Sequence, residues 1–137
     1  MIVLDTNVVS EAMKPEPHPN VNAWLNAQPA QTLYLTSVTL AEMQFGIGTL
    51  SDGRRKQMLK EALNGVINLF EGRILSFDRD AAHQYANVAV NARTAGRGLP
   101  VPDGYIAAIA VAHGFSVASR DMAPFAAAQV AVINPWQ

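Results

Sequence analysis

Short apolar runs recur along the chain, each followed by a longer stretch whose apolar positions return every third or fourth residue. Ile2–Leu4 is the first run, and it passes through Asp5-Thr6-Asn7 into a short helix over Val8–Met13 that Pro15, Pro17 and Pro19 stop. Asn20–Ala27 carries Val21, Trp24 and Leu25 at helical spacing, and Thr32–Thr36 is rich in β-formers. Ser37 is placed to cap a helix reaching about Leu50, and a second helix runs from about Arg54 to Phe70. Ile74–Phe77 reads as a third strand, followed by a helix capped by Asp78 or Asp80 that extends to about Ala95. An extended Leu99-Pro100-Val101-Pro102 leads to a helix opening at Pro102-Asp103 and closing at Gly114. Phe115–Ala118 and Val130–Ile133 complete the strands, with a short helical piece from Asp121 to Ala128 between them. Apolar strands alternating with helices predict a three-layer α/β/α sandwich with a mostly parallel central sheet of about five strands, in one domain spanning residues 1–137. Functional groups in such sheets gather at the carboxyl ends of the strands.

Composition narrows the chemistry. Cysteine is absent, which excludes disulfides, thiolate zinc sites and cysteine nucleophiles. No apolar stretch has membrane-spanning length, and Asp5 interrupts the opening run, so no secretory signal is expected and the cytoplasm is the expected compartment. Half the residues are hydrophobic, enough for a core without a staple.

Seven acids stand where solvated ones are expected: Glu11, Glu16, Asp52, Glu61, Glu71, Asp78 and Asp80. Four do not. Asp5 ends a buried-looking strand, and Asp121 follows the fourth strand by way of Ser119 and Arg120. Glu42 lies beside Val38, Phe45 and Thr49 on a helix whose other side is Leu40, Met43, Ile47 and Leu50. That helix is apolar nearly all round and is predicted to be buried, so its one acid needs a partner, a proton or a metal. Asp103 stands in the first turn of another apolar helix. Singly, each has an ordinary alternative: Asp5 and Asp103 as helix caps, Asp121 closing a turn, Glu42 pairing with Arg or Lys.

Convergence changes the balance. Carboxylates about 5 Å apart at an effective dielectric of about 20 repel by roughly 3 kcal/mol per pair. A marginally stable domain must relieve several such pairs with protons or a cation. Oxygen ligands without His or Cys favour Mg²⁺ or Mn²⁺, which suits hydrolysis of a phosphodiester by a metal-activated water attacking in line. His18, His83 and His113 receive no role. The formal net charge is −1, but with the four acids set aside ten basic residues face seven acidic ones. A weakly basic surface around an acidic pocket suits a nucleic-acid backbone, with Arg54, Arg55, Lys56 and Lys60 as the densest basic group and Arg93 and Arg97 as a second.

The stretches Leu4-Asp5-Thr6-Asn7, Ala41-Glu42, Pro102-Asp103-Gly104-Tyr105-Ile106-Ala107-Ala108 and Ala118-Ser119-Arg120-Asp121 together resemble the PIN-domain family, and more closely its VapC-type toxins of bacterial toxin–antitoxin pairs. The ending Ile133-Asn134-Pro135-Trp136 looks like the FitB-like, plasmid-stability branch. The resemblance implies a Mg²⁺- or Mn²⁺-dependent ribonuclease whose acidic centre is Asp5, Glu42, Asp103 and Asp121. Asp5 and Asp103 would be direct ligands, and Glu42 and Asp121 would bind directly or through water. Asn7 matches a position that supports the centre, and Ser119 a Thr or Ser position that orients groups there. The family also implies an RNA substrate, homodimers, and a cognate antitoxin with a DNA-binding domain whose tail blocks the acidic pocket. Two other readings remain: a PIN fold kept as a catalytically silent binding module, and another Asp-based phosphohydrolase. The second is disfavoured because Asn7 stands where a phosphatase wants its second acid and no Lys follows Lys60.

Overall fold

The computed structural model describes all residues, 1–137. Five parallel strands, β1 (Ile2–Leu4), β2 (Leu33–Thr36), β3 (Ile74–Leu75), β4 (Ser116–Ala118) and β5 (Val132–Ile133), form one sheet in the order β3-β2-β1-β4-β5. From β1 the chain builds outward to β2 and β3, then returns to place β4 on the other side of β1. This reversal opens a crevice beyond the carboxyl ends of β1 and β4, where doubly wound sheets place their ligands. Register aligns Leu4 with Ala118, so Asp5 and Ser119 leave the sheet side by side.

Seven helices cover the two faces: α1 (Thr6–Ala12), α2 (Pro19–Ala27), α3 (Ser37–Gly48), α4 (Arg54–Leu69), α5 (Arg79–Thr94), α6 (Val101–His113) and α7 (Met122–Ala127). Alternation along the strands divides the core. Val3 and Val117 face Val88, Ile106, Ala110 and Phe125 from α5, α6 and α7. Leu4, Leu33, Leu35 and Ala118 face Val8, Val9 and Phe70, with Trp24, Leu40, Met43 and Val66 packed around them. The expected α/β/α sandwich is the fold observed. No helix is long and apolar enough to cross a membrane.

Several boundaries differ from the sequence expectation for identifiable reasons. Helix α1 starts at Thr6 rather than Val8, because Asp5 caps it by accepting from the Thr6 N–H. Thr36, not Ser37, caps α3 by accepting from the Thr39 N–H at 3.0 Å. Helix α6 starts at Val101, since a proline in the first turn surrenders an N–H that no helical bond would use. Asp78 rather than Asp80 caps α5, accepting from the Ala81 N–H. Strand β3 ends at Leu75, two residues before the expected end at Phe77, and a 3₁₀ turn at Ala30–Thr32 precedes β2. Gly114 ends α6 in the left-handed conformation at φ 71°, as its position in sequence predicts.

The largest departure is α3. The apolar pattern predicts a buried helix, yet only Thr39 and Ile47 are buried, and Phe45 is 75% exposed. Leu40 and Met43 pack on the core beneath. Met43 and Ile47, with Leu50 just beyond the helix, line an open groove of about 950 Å³ shared with Met58, Leu59 and Ala62 of α4.

Candidate active site

Three of the four singled-out acids face one cavity of about 430 Å³ at the crevice between β1 and β4. Asp5 comes from the end of β1, Glu42 from the second turn of α3, and Asp103 from the first turn of α6. Asp121 follows β4 and is exposed; it does not line the cavity, but its charge reaches both Asp5 and Asp103. Asp5 and Asp121, the two acids that follow strands, leave the sheet at the same edge because β1 and β4 are neighbours.

The hydrogen bonds decide among the ordinary alternatives. Asp5 does cap α1, with Oδ1 accepting from the Thr6 N–H at 2.8 Å, while Oδ2 accepts from the Ser119 hydroxyl at 2.7 Å. Asp103 lies within the first turn of α6, whose cap position is Pro100 and carries no side-chain bond. Asp121 likewise precedes α7 without a side-chain capping bond. Glu42 pairs with no Arg or Lys, since the chain's two ion pairs are Lys14–Glu11 and Lys56–Asp52. Its Oε1 accepts instead from the Thr6 hydroxyl at 2.7 Å. Because that proton is committed, Thr39 must be the donor in its 3.0 Å contact with Thr6 Oγ1.

Ser119 is fully buried and uses its whole hydrogen-bonding capacity. It donates to Asp5 and accepts from Asn7 Nδ2 at 3.3 Å and from the Asp121 N–H at 3.1 Å. Asn7 also accepts from the Arg120 N–H at 3.3 Å, tying α1 to the loop after β4. Thr6, Glu11, Lys14, Arg120 and Trp136 also line the cavity and escaped the sequence reading. Thr6 lies within the Leu4-Asp5-Thr6-Asn7 stretch, but its partner is 36 positions away and leaves no local signal. Glu11, expected to be solvated, is buried and accepts from Lys14 Nζ and from the His18 N–H, both at 2.9 Å. Those bonds, Lys14 foremost, hold its carboxyl below the usual range.

Electrostatics reflects an unneutralised cluster. Burial, then the charges of Asp5, Asp121 and Glu42, push the Asp103 carboxyl up to about 6. Burial also raises Asp5, outweighing the bonds from Ser119 and Thr6, with Glu42 and Asp121 adding to the rise. The donors facing the cavity are oxygens of Asp, Glu, Thr and Asn, with no His or Cys among them. This set fits a hard divalent cation such as Mg²⁺ or Mn²⁺. No three acidic or imidazole groups stand close enough to hold one ion together. The fit is therefore to an ion that keeps much of its water shell and takes one or two carboxylates, which is the habit of Mg²⁺.

Comparison with known proteins agrees with the geometry. The chain matches the PIN domain over residues 2–130. It is 49% identical to VapC ribonuclease Y4jK of Sinorhizobium fredii over 138 residues, covering 100% of this chain and 99% of that one. It is 45% identical to Toxin FitB of Neisseria gonorrhoeae over 137 residues, 99% of each chain. A solved structure of FitAB bound to an IR36 DNA fragment superposes with a TM-score of 0.94 at 44% identity, covering 100% of this chain and 96% of that one. With the strand order, the acids at the switch point and full-length identity all in agreement, the chain belongs to the PIN-domain family, in its VapC and FitB branch.

Proposed function

We propose that the protein is the toxin of a toxin–antitoxin pair and acts as a Mg²⁺- or Mn²⁺-dependent endoribonuclease. The observation that carries this reading is that Asp5, Glu42 and Asp103, from three separate elements, face one cavity and none is neutralised by Lys or Arg. Asp5 and Asp103 are the direct ligands in this reading, with Glu42 and Asp121 acting directly or through water. When bound, the ion supplies a water of lowered pKa and neutralises charge developing on the phosphoryl oxygens. The chain's own residues hold the arrangement. Ser119 and the Thr6 N–H fix the two oxygens of Asp5, Thr6 aims Glu42, and Asn7 locks the β4 loop against α1. Asp103, half protonated near pH 6, gives up its proton as a cation binds. The names of the 49% and 45% identical relatives, a ribonuclease and a toxin, support the same reading.

A cognate antitoxin with a DNA-binding domain is the partner in this proposal, and the α3–α4 groove is its seat. The groove presents Met58, 57% exposed, together with Met13, Met43 and Leu59. It shares Thr6, Ser10, Lys14 and Glu42 with the acidic cavity, so one bound segment could cover both. The likeness to FitAB on DNA supports such an assembly, and the protein is proposed to be a cytoplasmic homodimer.

The test is cleavage of RNA by the purified chain in Mn²⁺ or Mg²⁺. Cleavage should stop on chelation and be absent in Asp5→Asn, whose amide oxygen can still accept from the Thr6 N–H and so keep the α1 cap. Cleavage that persists in chelator would overturn the mechanism. A folded wild type that cleaves no RNA would make it a silent binding module, and phosphate release from small monoesters would make it a phosphohydrolase.

A further inference from the structure

Two cations stand at the acidic cavity, Lys14 and Arg120. Lys14 is engaged, with Nζ donating to Glu11 Oε1 at 2.9 Å. Arg120 makes no ion pair, although Asp121 is its neighbour in sequence and Asp5 and Asp103 line the same cavity. An exposed guanidinium on a flexible stem is drawn to fork onto a nearby carboxylate. Trp136 holds it elsewhere: Arg120 Cζ lies 5.3 Å from the indole centroid, within cation–π range. The indole is itself fixed. The Trp136 backbone N–H donates to Asn134 Oδ1 at 2.9 Å and its backbone carbonyl accepts from Asn20 Nδ2 at 2.7 Å, while the ring packs on the cluster of Leu4 and Ala118. The root of the Arg120 side chain is fixed too, by its backbone bond to Asn7.

We propose that Arg120, parked on the face of Trp136, grips an RNA backbone phosphate beside the scissile one. Trp136 is the positioning residue that keeps the guanidinium out of the carboxylates. This rests on the nuclease reading, which puts the scissile phosphate at the cavity. The chemistry favours phosphate: a cavity of carboxylates repels a polyanion, so a free cation at its rim is what the backbone can hold. The planar fork of guanidinium matches two phosphate oxygens.

The experiment measures binding of a labelled single-stranded RNA in Ca²⁺, added in place of Mn²⁺ to suppress turnover, across a salt series. Cleavage kinetics in Mn²⁺ and calorimetric Mn²⁺ affinity are measured alongside. Arg120→Ala should weaken RNA binding about tenfold and lower the salt slope by about 0.7, the share of one single-strand phosphate contact. KM should rise while kcat stays within about twofold, and Mn²⁺ should bind as tightly or more so. Trp136→Phe keeps a ring and should behave as wild type. Trp136→Leu should release Arg120 onto the carboxylates and weaken Mn²⁺ binding, and adding Arg120→Ala to it should restore Mn²⁺ affinity. A merely structural Trp136 would show no such rescue. Unchanged RNA affinity and salt slope in Arg120→Ala would overturn the grip, as would failure of the rescue in folded variants for the role given to Trp136. If Trp136→Leu does not fold, the Arg120→Ala and Trp136→Phe results decide. Wild type that binds RNA with this Arg120 dependence but never cleaves it would sink the nuclease reading and leave the grip standing; wild type that does neither would sink both.

Discussion

Asp103→Asn should stabilise the metal-free protein at neutral pH and leave it unchanged in acid. Asp103 accepts no hydrogen bond in the way Asp5 does, and its carboxyl is raised from the ordinary 3.8 to about 6 by burial and by Asp5, Asp121 and Glu42. The sign follows from linkage. Well below 3.8 the carboxyl is protonated in folded and unfolded chains alike and the destabilisation is absent; at pH 3.5 little of it remains. Between 3.8 and about 6 the unfolded chain loses the proton first, so stability falls as pH rises; above about 6 the full penalty is present. A shift of this size corresponds to at most about 3 kcal/mol. Asp103 is only half-buried, and solvent screening reduces this to about 1–2 kcal/mol. Asparagine also forfeits the interaction of a negative charge with the α6 N-terminus, about 0.3–1 kcal/mol. A net gain near 1 kcal/mol raises Tm by about 3–4 °C in a chain of this length. Thermal unfolding followed by circular dichroism in EDTA, at pH 8 and at pH 3.5, measures it. A lower Tm at pH 8, or the same gain at both pH values, would refute the reasoning.

Three further variants probe the supporting shell. Thr6→Val removes the hydroxyl that aims Glu42, so RNA cleavage should fall about 10–100-fold, and stranding the buried Thr39 donor should cost about 1–3 kcal/mol of stability. Ser119→Ala strips the buried oxygen that serves Asp5, Asn7 and Asp121, and chemical denaturation should show a loss of about 1–3 kcal/mol together with reduced activity. Gly104→Ala would set a methyl 2.7 Å from Tyr85 Cε2, and the Tyr85 ring is wedged among Phe77 and Tyr105. Overpacking of about 1–3 kcal/mol should exceed the helical preference for alanine, lowering Tm and disturbing the adjacent Asp103.

Much of the fold was legible because strand burial leaves a local trace: Ile2–Leu4 and Ser116–Ala118 are short apolar runs, and both are strands. The position of the acids followed from topology alone, since Asp5 and Asp121 succeed parallel strands that turn out to be neighbours. The environment of α3 was not legible. Apolar periodicity reports that a face wants cover, and it does not distinguish cover by the same chain from cover by another. Phe45, on a helix whose pattern predicts burial nearly all round, is therefore 75% exposed. Glu11 looked solvated because a Lys three residues on is an ordinary surface partner, and its second donor, a backbone N–H seven residues on, leaves no side-chain pattern. Long-range bonds such as Thr6 to Glu42 and Arg120 over Trp136 depend on coordinates, although both pairs include residues from the stretches that carried the family resemblance.

The central claim is that the acids at the switch point are held in repulsion until a divalent ion relieves it. Calorimetric titration of Mn²⁺ into the metal-free protein near pH 6 tests this without any substrate. The account predicts saturable uptake with proton release, the heat changing with the ionisation enthalpy of the buffer, and weakened uptake in Asp5→Asn and Asp103→Asn. Absence of saturable binding in the wild type, or binding indifferent to both substitutions, would contradict it.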